Sequence, residues 1–265
     1  MSLKYFNFVW FYFRVLFGFL LFGILASIGS IVLPLLALLY LRRKTEFQII
    51  IHRVIRLSFA FVLGYSQLVR VIKINFNNQS GERLENIRIF VCNHVSLFDV
   101  LIFIAFIPNC YTFVKDKFSN HPILRAIIIR SGFVSVNVSD PIQCGEAFKM
   151  AVNLVKTGSP FVIFPEGTRS KTGKLGPFQK GVFRLAFETE ADVHPVIIKC
   201  SEPILNNSKL MPTRHTVVFD VDIYPRIVTP KKADQKRNSL VVYSDTLRRF
   251  FEEKYSNLNY LSGTL

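Results

Sequence analysis

The chain has 265 residues, of which 50% are hydrophobic, and it carries a formal net charge of +15. Nucleic-acid binding would explain the charge but not the apolar excess, whereas an anionic membrane surface explains both. The length suits one large domain, or a domain with an appendage. The cysteines lie far apart without CxxC or metal-ligand spacing, so we expect reduced, mostly buried thiols in a chain that faces the cytoplasm: Cys92, Cys110, Cys144 and Cys200.

An uncharged apolar run occupies residues 15–41. As a helix it would be about 40 Å long, against about 30 Å for the hydrocarbon core of a bilayer. More basic residues follow the run, at 42–44, than precede it, which places the rest of the chain on the cytoplasmic side. We expect a membrane span, with a re-entrant hairpin broken at Gly29, Ser30 and Pro34 as the alternative.

A second apolar stretch, residues 48–71, is interrupted by Arg53, Arg56 and Arg70. This pattern predicts a helix lying under the lipid headgroups, with the arginine side chains reaching the phosphates. The alternative is a helix of the protein core. We therefore predict a membrane anchor over 1–76 and a second domain over 77–265.

Beyond residue 77, short apolar segments alternate with helix-length segments, which indicates an α/β domain. The helix from Asp140 is expected to bury one face, formed by Ala147, Met150, Ala151, Leu154 and Val155. The predicted strands are 87–92, 111–114, 132–137, 160–165, 193–200 and 216–223, and the predicted helices are 96–108, 140–156, 179–190 and 239–255.

The segment VCNHVSLFDV, residues 91–100, joins a strand to a helix. Ser96 and Asp99 have the spacing of a capping box, so these two residues have a purely structural interpretation. That interpretation leaves Asn93 and His94 unexplained at a corner where open α/β sheets bind ligands.

His94 and Asp99 are five residues apart. On one ideal helix they would point about 140° apart, so they meet only if His94 precedes the helix and folds back over its first turn. Asp99 would then hold one imidazole nitrogen and leave the other as a general base. Since the chain lacks a nucleophile motif such as GxSxG, this base would activate a hydroxyl of the substrate.

A basic loop with the sequence FPEGTRSKTGKLGPFQKG covers residues 164–181. A glycine that frees the backbone, an arginine fork and several lysines suit a phosphate group. The alternative is a solvated basic loop. The cationic candidates are Arg169, Lys171, Lys174 and Lys180.

Two blocks in this order resemble the signatures of the glycerolipid acyltransferases, the family that includes lysophosphatidate acyltransferases. NHVSLFD at 93–99 is similar to the NHxxxxD block, and FPEGTRS at 164–170 is similar to the FPEGTRS block. HPVII at 194–198 resembles a later apolar block, GFVSVN at 132–137 resembles a Gly-strand-Arg block, and Lys115 stands at a lysine that the family often carries. The resemblance covers roughly residues 70–225.

The resemblance implies a mixed sheet flanked by helices, behind an N-terminal membrane-embedded helical segment. It implies transfer of a fatty acyl group from an acyl thioester, on coenzyme A or acyl carrier protein, to the hydroxyl of a lysophospholipid. The first expected acceptor is 1-acyl-glycerol-3-phosphate, which would give phosphatidic acid. The expected partners are anionic lipids of the inner leaflet and, as a further candidate, acyl carrier protein, with no nucleic acid.

The resemblance also implies roles for residues of the site. His94 is the expected general base, and Asp99 orients it and stabilises its charge. No permanently bound cofactor and no metal are implied. The residues expected to bind or surround the substrate are Asn93, Lys115, Glu166, Gly167, Thr168 and Arg169.

The chain departs from the family at Asn137, where many members have an arginine that helps to bind the acceptor phosphate. Asparagine can donate a neutral hydrogen bond but supplies no charge. Either Arg130, Lys115 or Lys117 compensates, or the acceptor is a different lysolipid or lipid. A thioesterase or remodelling enzyme of the same fold is the other alternative.

Overall fold

The structure is a computed structural model that describes residues 3–40, 42–170, 175–202, 204–205, 211, 216–234 and 238–256. The chain folds into two compact units, each assembled from separate segments. Unit 1 comprises Met1–Lys73, Val100–Ala147 and Thr213–Thr216, and unit 2 comprises Ile74–Asp99, Phe148–Pro212 and Val217–Leu265.

Eight helices and seven strands follow one another in the described residues. In chain order they are α1 (Leu3–Leu39), α2 (Lys44–Leu68), β1 (Ile72–Asn78), β2 (Ile89–Cys92), α3 (Phe98–Phe106), β3 (Tyr111–Lys115), α4 (Asp116–Ser119), α5 (Arg125–Ser131), β4 (Val134–Val136), α6 (Pro141–Lys156), β5 (Phe161–Ile163), α7 (Lys180–Thr189), β6 (Val193–Cys200), β7 (Val217–Ile223) and α8 (Ser239–Ser256).

Each predicted strand and helix of the α/β part coincides with one of these elements, within a few residues at its ends. One strand, β1, was missed, although Ile72, Ile74 and Phe76 alternate with polar residues in the period of a strand. The predicted boundary between residues 76 and 77 falls inside this strand, whereas the compact units are discontinuous in sequence.

The apolar run forms one continuous helix, α1, with Pro34 inside it. The break that a hairpin within the run would need is therefore absent from the described part, residues 15–40; Leu41 lies outside it. The chain turns after α1, where the Arg43 N–H donates to the Tyr40 carbonyl at 2.9 Å. Both α1 and α2 are long and apolar enough to cross a membrane by length and composition.

Helices α1 and α2 pack side by side in opposite directions. Midway along this pair Phe22 lies 6.1 Å from Phe59 between ring centroids, and at the connected end Tyr40 stacks on Phe47 at 5.6 Å. Towards the open end Arg14 Nη1 donates to the Val69 carbonyl at 2.6 Å. Together α1 and α2 form a helical pair, the N-terminal hairpin, which is distinct from a re-entrant hairpin within residues 15–41.

Helix α2 has two apolar faces with different surroundings. Ile51 and Leu63 are buried, whereas Leu57 and Phe61 are 60% and 57% exposed. Arg56 Nε donates to the Ala105 carbonyl at 3.2 Å, so this arginine binds the end of α3 within the protein. The helix thus combines a core face with an exposed apolar face, and its position under the headgroups stays a prediction.

Unit 2 contains the mixed sheet that the resemblance implied. Within it the strand order is β1-β7-β6-β2-β5. β2 is parallel to β5 and β6, and β7 is antiparallel to β6. Because β2, β5 and β6 are parallel, their carboxyl ends meet at one edge of the sheet. That edge brings the segments that begin at Asn93 and Phe164 together.

Unit 1 contains a parallel pair, β3 and β4, with Lys115 beside Val136 in the register. Helix α6 begins as predicted, since Asp140 Oδ1 accepts the N–H groups of Ile142 and Gln143 at 2.9 and 3.2 Å. Its predicted buried face was wrong at Met150, and Leu154 is only half-buried. Met150 is 50% exposed, because the helix buries the row spaced by four residues: Ala147, Ala151 and Val155.

Candidate active site

The imidazole of His94 and the carboxylate of Asp99 form a hydrogen bond. His94 Nδ1 and Asp99 Oδ2 are 2.8 Å apart, and the side chains are 14% and 0% exposed. His94 follows β2 and precedes α3, so its ring folds back over the first turn of that helix as expected. No hydrogen bond to His94 Nε2 arises from the described residues, which leaves this nitrogen for a ligand.

The same carboxylate also caps helix α3. Asp99 Oδ2 accepts the N–H groups of Val95 and Ser96, each at 2.8 Å. Ser96 Oγ accepts the Phe98 N–H at 3.2 Å, which completes the predicted capping box. One oxygen of Asp99 therefore accepts two backbone N–H groups and pairs with the imidazole, which fixes the carboxylate beside His94.

The backbone of His94 is held on both sides by the loop that follows β5. The His94 N–H donates to Glu166 Oε1 at 3.1 Å, and the His94 carbonyl accepts the Ser170 N–H at 2.8 Å. Glu166 Oε2 accepts the Gly176 N–H at 2.8 Å. Both oxygens of Glu166 thus bind backbone, and a role of this residue in substrate binding stays a prediction.

Burial governs the electrostatics of Glu166. Burial raises the pKa of this carboxyl, while the hydrogen bonds from His94 and Gly176 oppose the change. A Cβ added at Gly176 would lie 3.0 Å from Glu166 Oε2, so a larger residue would press on the carboxylate. The backbone of Gly176 is therefore brought close to Glu166 by the absence of a side chain.

The tight turn after β5 depends on Gly167. Its φ of 65° lies in the left-handed region that glycine adopts at little cost, and its N–H donates to the Phe164 carbonyl at 3.0 Å. The ring of Phe164 stacks on the imidazole of His94 with centroids 4.1 Å apart. This turn thus shapes the surroundings of the imidazole, and Gly167 and Thr168 are themselves exposed.

The cationic residues of this loop are only partly described. Arg169 is half-buried and its Nη1 donates to the Leu205 carbonyl at 2.5 Å. Lys180 is exposed at the first residue of α7. Lys171 and Lys174 lie outside the described residues. Arg169 directly precedes Ser170, which binds the His94 carbonyl, so the backbone of this arginine lies beside His94.

Asn93 is buried and points its amide at the neighbouring strand. Its Nδ2 donates to the Ile198 carbonyl at 2.8 Å and its Oδ1 accepts the Ile198 N–H at 2.7 Å. Nδ2 also donates to the Tyr255 hydroxyl at 2.5 Å. These contacts support the segment before His94, and direct substrate binding by Asn93 stays a prediction.

Cys92 stands two residues before His94 but is unsuited to act as a nucleophile. Burial, followed by the charges of Asp99 and Glu166, raises the pKa of this thiol well above its usual value. Burial likewise raises the pKa of Cys200 to about 12. All four cysteines are free, with Cys92 and Cys110 buried, and thiolate chemistry is disfavoured at the two beside Asp99.

The three cations that were expected to compensate for Asn137 belong to unit 1. Lys115 ends β3, is exposed, and neighbours Val136 in the register, so it lies beside the strand that leads into Asn137. Arg130 has a buried Nε without a hydrogen-bond partner among the described residues. Lys117 is exposed. Compensation for the missing charge at Asn137 by one of these cations stays a prediction.

His194 opens the HPVII block and lies inside the sheet, on β6. It pairs with Phe90 in the register, two residues before the end of β2, and is 3% exposed. Its Nε2 lies 3.5 Å from Glu82 Oε1, too far for a strong hydrogen bond. Burial lowers the pKa of this imidazole, while Glu82 and Asp192 oppose the change.

Some supporting residues were not predicted from the sequence. Glu166 was expected at the substrate rather than on the His94 backbone, and nothing local signalled the contacts of Phe164, Ser170 or Tyr255. Their partners lie far away in the chain, 162 residues in the case of Tyr255 and Asn93. These contacts depend on the strand order of the sheet and on the packing of α8.

Parts of this chain are similar to known proteins. Residues 73–199 match the acyltransferase family. The 1-acyl-sn-glycerol-3-phosphate acyltransferase of Cocos nucifera is 34% identical over 121 residues, which are 44% of this chain and 39% of that protein. A chloroplastic relative of the same name from Arabidopsis thaliana is 31% identical over 138 residues, 50% of this chain and 37% of that protein.

The chain spans about two-fifths of the length of these curated relatives. A solved structure, the 1-acyl-sn-glycerophosphate acyltransferase PlsC from Thermotoga maritima, has the same fold with a TM-score of 0.63 at 20% identity. That likeness covers 92% of this chain and 98% of the other. Residues 73–199, just under half of this chain, are therefore similar to the acyltransferase family, and they contain both blocks that resemble the signatures of the glycerolipid acyltransferases.

Proposed function

We propose that this chain is a membrane-associated acyltransferase that moves a fatty acyl group from an acyl thioester to the hydroxyl of a lysophospholipid. The observation that carries the proposal is the 2.8 Å hydrogen bond between His94 Nδ1 and Asp99 Oδ2, which leaves Nε2 as a base. Relatives named 1-acyl-sn-glycerol-3-phosphate acyltransferase make 1-acyl-glycerol-3-phosphate the first acceptor to test, with phosphatidic acid as product.

The arrangement supports direct transfer without a covalent acyl-enzyme. His94 Nε2 removes the proton from the acceptor hydroxyl as its oxygen attacks the thioester carbonyl. Asp99 stabilises the imidazolium that forms and keeps the ring in one tautomer. When the carbon–sulfur bond breaks, the imidazolium returns the proton to the thiolate, so the free thiol and the acylated lipid leave.

Arg169 is the group that we assign to the acceptor phosphate. A guanidinium presents a planar set of donors that matches phosphate oxygens. The Arg169 side chain is half-buried and anchored on the Leu205 carbonyl, which reduces the entropy lost when a phosphate binds. Thr168 is exposed beside it and offers a hydroxyl, and Lys115 of unit 1 is a further candidate.

The N-terminal hairpin is the proposed membrane contact. Its helices expose large apolar side chains, including Leu35 and Leu57, each 60% exposed. Contact of this apolar surface with water is unfavourable, whereas contact with lipid is not. We place the site at the cytoplasmic leaflet, where anionic headgroups would attract the basic chain. Coenzyme A and acyl carrier protein stay open as carriers of the acyl donor.

The test uses the full-length chain in detergent or in vesicles, supplied with an acyl-coenzyme A or acyl carrier protein thioester. Thiol release and lipid product are measured with 1-acyl-glycerol-3-phosphate, with other lysolipids and without acceptor. We expect acceptor-dependent release of thiol and a loss of at least about 100-fold in the His94→Ala variant. Thioester consumption that ignores the acceptor would instead indicate a thioesterase.

A further inference from the structure

The C-terminal helix α8 lies outside the segment that matches the acyltransferase family, which ends at residue 199. Its last turn nevertheless reaches the residue that precedes the proposed base. Asn93 Nδ2 donates to the hydroxyl of Tyr255 at 2.5 Å, across 162 residues of chain. We propose that Tyr255 is a positioning residue of the acyl-transfer site, acting on His94 through Asn93.

The hydrogen bonds of Asn93 make this route specific. One N–H of its amide goes to the Ile198 carbonyl, and its oxygen accepts the Ile198 N–H. The second N–H goes to Tyr255. Asn93 is 0% exposed, so removal of the Tyr255 hydroxyl would leave a buried donor unpaired next to His94.

The same helix supports the second block of the site. The ring of Phe251, which is 0% exposed, meets Phe178 edge to face with centroids 5.3 Å apart. Phe178 lies two residues after Gly176, whose N–H binds Glu166. Helix α8 therefore touches both segments that hold His94: the end of β2 through Tyr255, and the loop of Glu166 through Phe251.

Helix α8 also supplies a matched control. Tyr243 is 4% exposed and its hydroxyl lies 2.8 Å from Thr229 Oγ1, away from Asn93. Tyr243→Phe and Tyr255→Phe each remove one hydrogen-bonded hydroxyl from the same helix, the first buried and the second half-buried. A purely structural contribution of α8 would give the two variants similar turnover per folded molecule.

The proposal rests on the proposed function, so wild type and His94→Ala are assayed beside the tyrosine variants. Tyr255→Phe removes the hydrogen bond from Asn93. We therefore expect this variant to lower kcat by about three- to tenfold, with the KM for the lysolipid unchanged. Tyr243→Phe should keep the kcat of wild type even if its melting temperature falls. Equal kcat for both tyrosine variants and wild type would overturn the proposal.

A double-mutant cycle tests the route through Asn93. If Tyr255 acts through this residue, adding Tyr255→Phe to Asn93→Ala should cause no further loss of kcat, whereas independent effects would multiply. Multiplying losses would overturn the route, and if Asn93→Ala does not fold, the comparison of the two tyrosine variants decides alone. An inactive wild type, or an active His94→Ala, would defeat the proposed function instead.

Discussion

The side chain of Glu166 binds the backbone of His94 rather than its imidazole, since Glu166 Oε1 accepts the His94 N–H at 3.1 Å. The other oxygen of Glu166 binds the Gly176 N–H at 2.8 Å. A buried carboxylate thus connects the loop of the second block to the residue that carries the base. This contact gives Glu166 a clear part in positioning the site.

The first prediction concerns this connection. In Glu166→Gln, the side chain keeps one acceptor oxygen but turns an amide towards the second N–H, so one of the two backbone contacts is lost. We expect kcat for acyl transfer to fall by about tenfold or more, as for loss of a charged hydrogen bond, with little change in KM.

Steady-state kinetics on the folded variant checks this prediction. Glu188→Gln is the control, because Glu188 is 44% exposed on α7 and pairs only weakly with Arg184 at 4.0 Å. A Glu166→Gln variant with wild-type kcat would show that the clamp on His94 is dispensable.

The second prediction concerns the turn at Gly167. Its φ of 65° is unfavourable for a residue with a Cβ, although space is adequate because that Cβ would meet Gln179 Cγ only at 3.5 Å. Gly167→Ala should therefore cost about 1–2 kcal/mol of unfolding free energy through backbone strain. Denaturant unfolding in detergent measures this loss.

Gly145→Ala is the matched control for that measurement. Gly145 lies inside α6, and a Cβ there meets nothing within 4 Å. The substitution should stabilise the protein slightly, because alanine favours helix more than glycine does. If both variants changed stability in the same direction, strain at Gly167 would not be the cause.

The third prediction concerns phosphate binding by Arg169. Arg169→Ala should raise the KM for the lysolipid by about tenfold or more, because a charge-assisted hydrogen bond is lost in both the bound and the transition state. Arg169→Lys should recover only part of the affinity, since an ammonium lacks the guanidinium fork. Arg248→Ala removes a 51%-exposed arginine from α8 and should leave KM unchanged. A large fall in kcat at constant KM would contradict this role.

The fourth prediction concerns the pH dependence of stability. Burial lowers the pKa of His194 in the folded state, against the pull of Glu82 and Asp192, while Arg226 acts with burial. The neutral imidazole of His194 therefore contributes its full stabilisation above the ordinary histidine pKa of about 6.5. This contribution is lost as the pH falls through the lower pKa that His194 has in the folded protein.

His194→Gln should flatten this loss between about pH 7 and pH 5, a window set by the ordinary histidine pKa and the direction of its change. Unfolding free energies from denaturant titrations at the two pH values provide the measurement. The exposed His121 offers a control, His121→Gln, that should retain the wild-type slope. An unchanged slope in His194→Gln would assign the acid sensitivity to other groups.

Local patterns were enough to predict much of this protein. The alternation of short apolar segments with helical ones predicted the α/β unit, because side-chain periods of two and 3.6 residues reflect the local backbone. The spacing of Ser96 and Asp99 predicted the cap of α3 for the same reason, since a capping box spans a single turn. His94 and Asp99 are close in sequence, so their pairing could be inferred without a fold.

Tertiary structure decided what holds that pair in place. Glu166 and Tyr255 contact the segment of His94 from 72 and 162 residues away, and no local pattern encodes such contacts. They exist because β2, β5 and β6 are parallel, which brings their carboxyl ends to one edge, and because α8 packs Phe251 against the loop of Phe178. The base and its carboxylate are properties of a short sequence, whereas their support is a property of the packed sheet and helix.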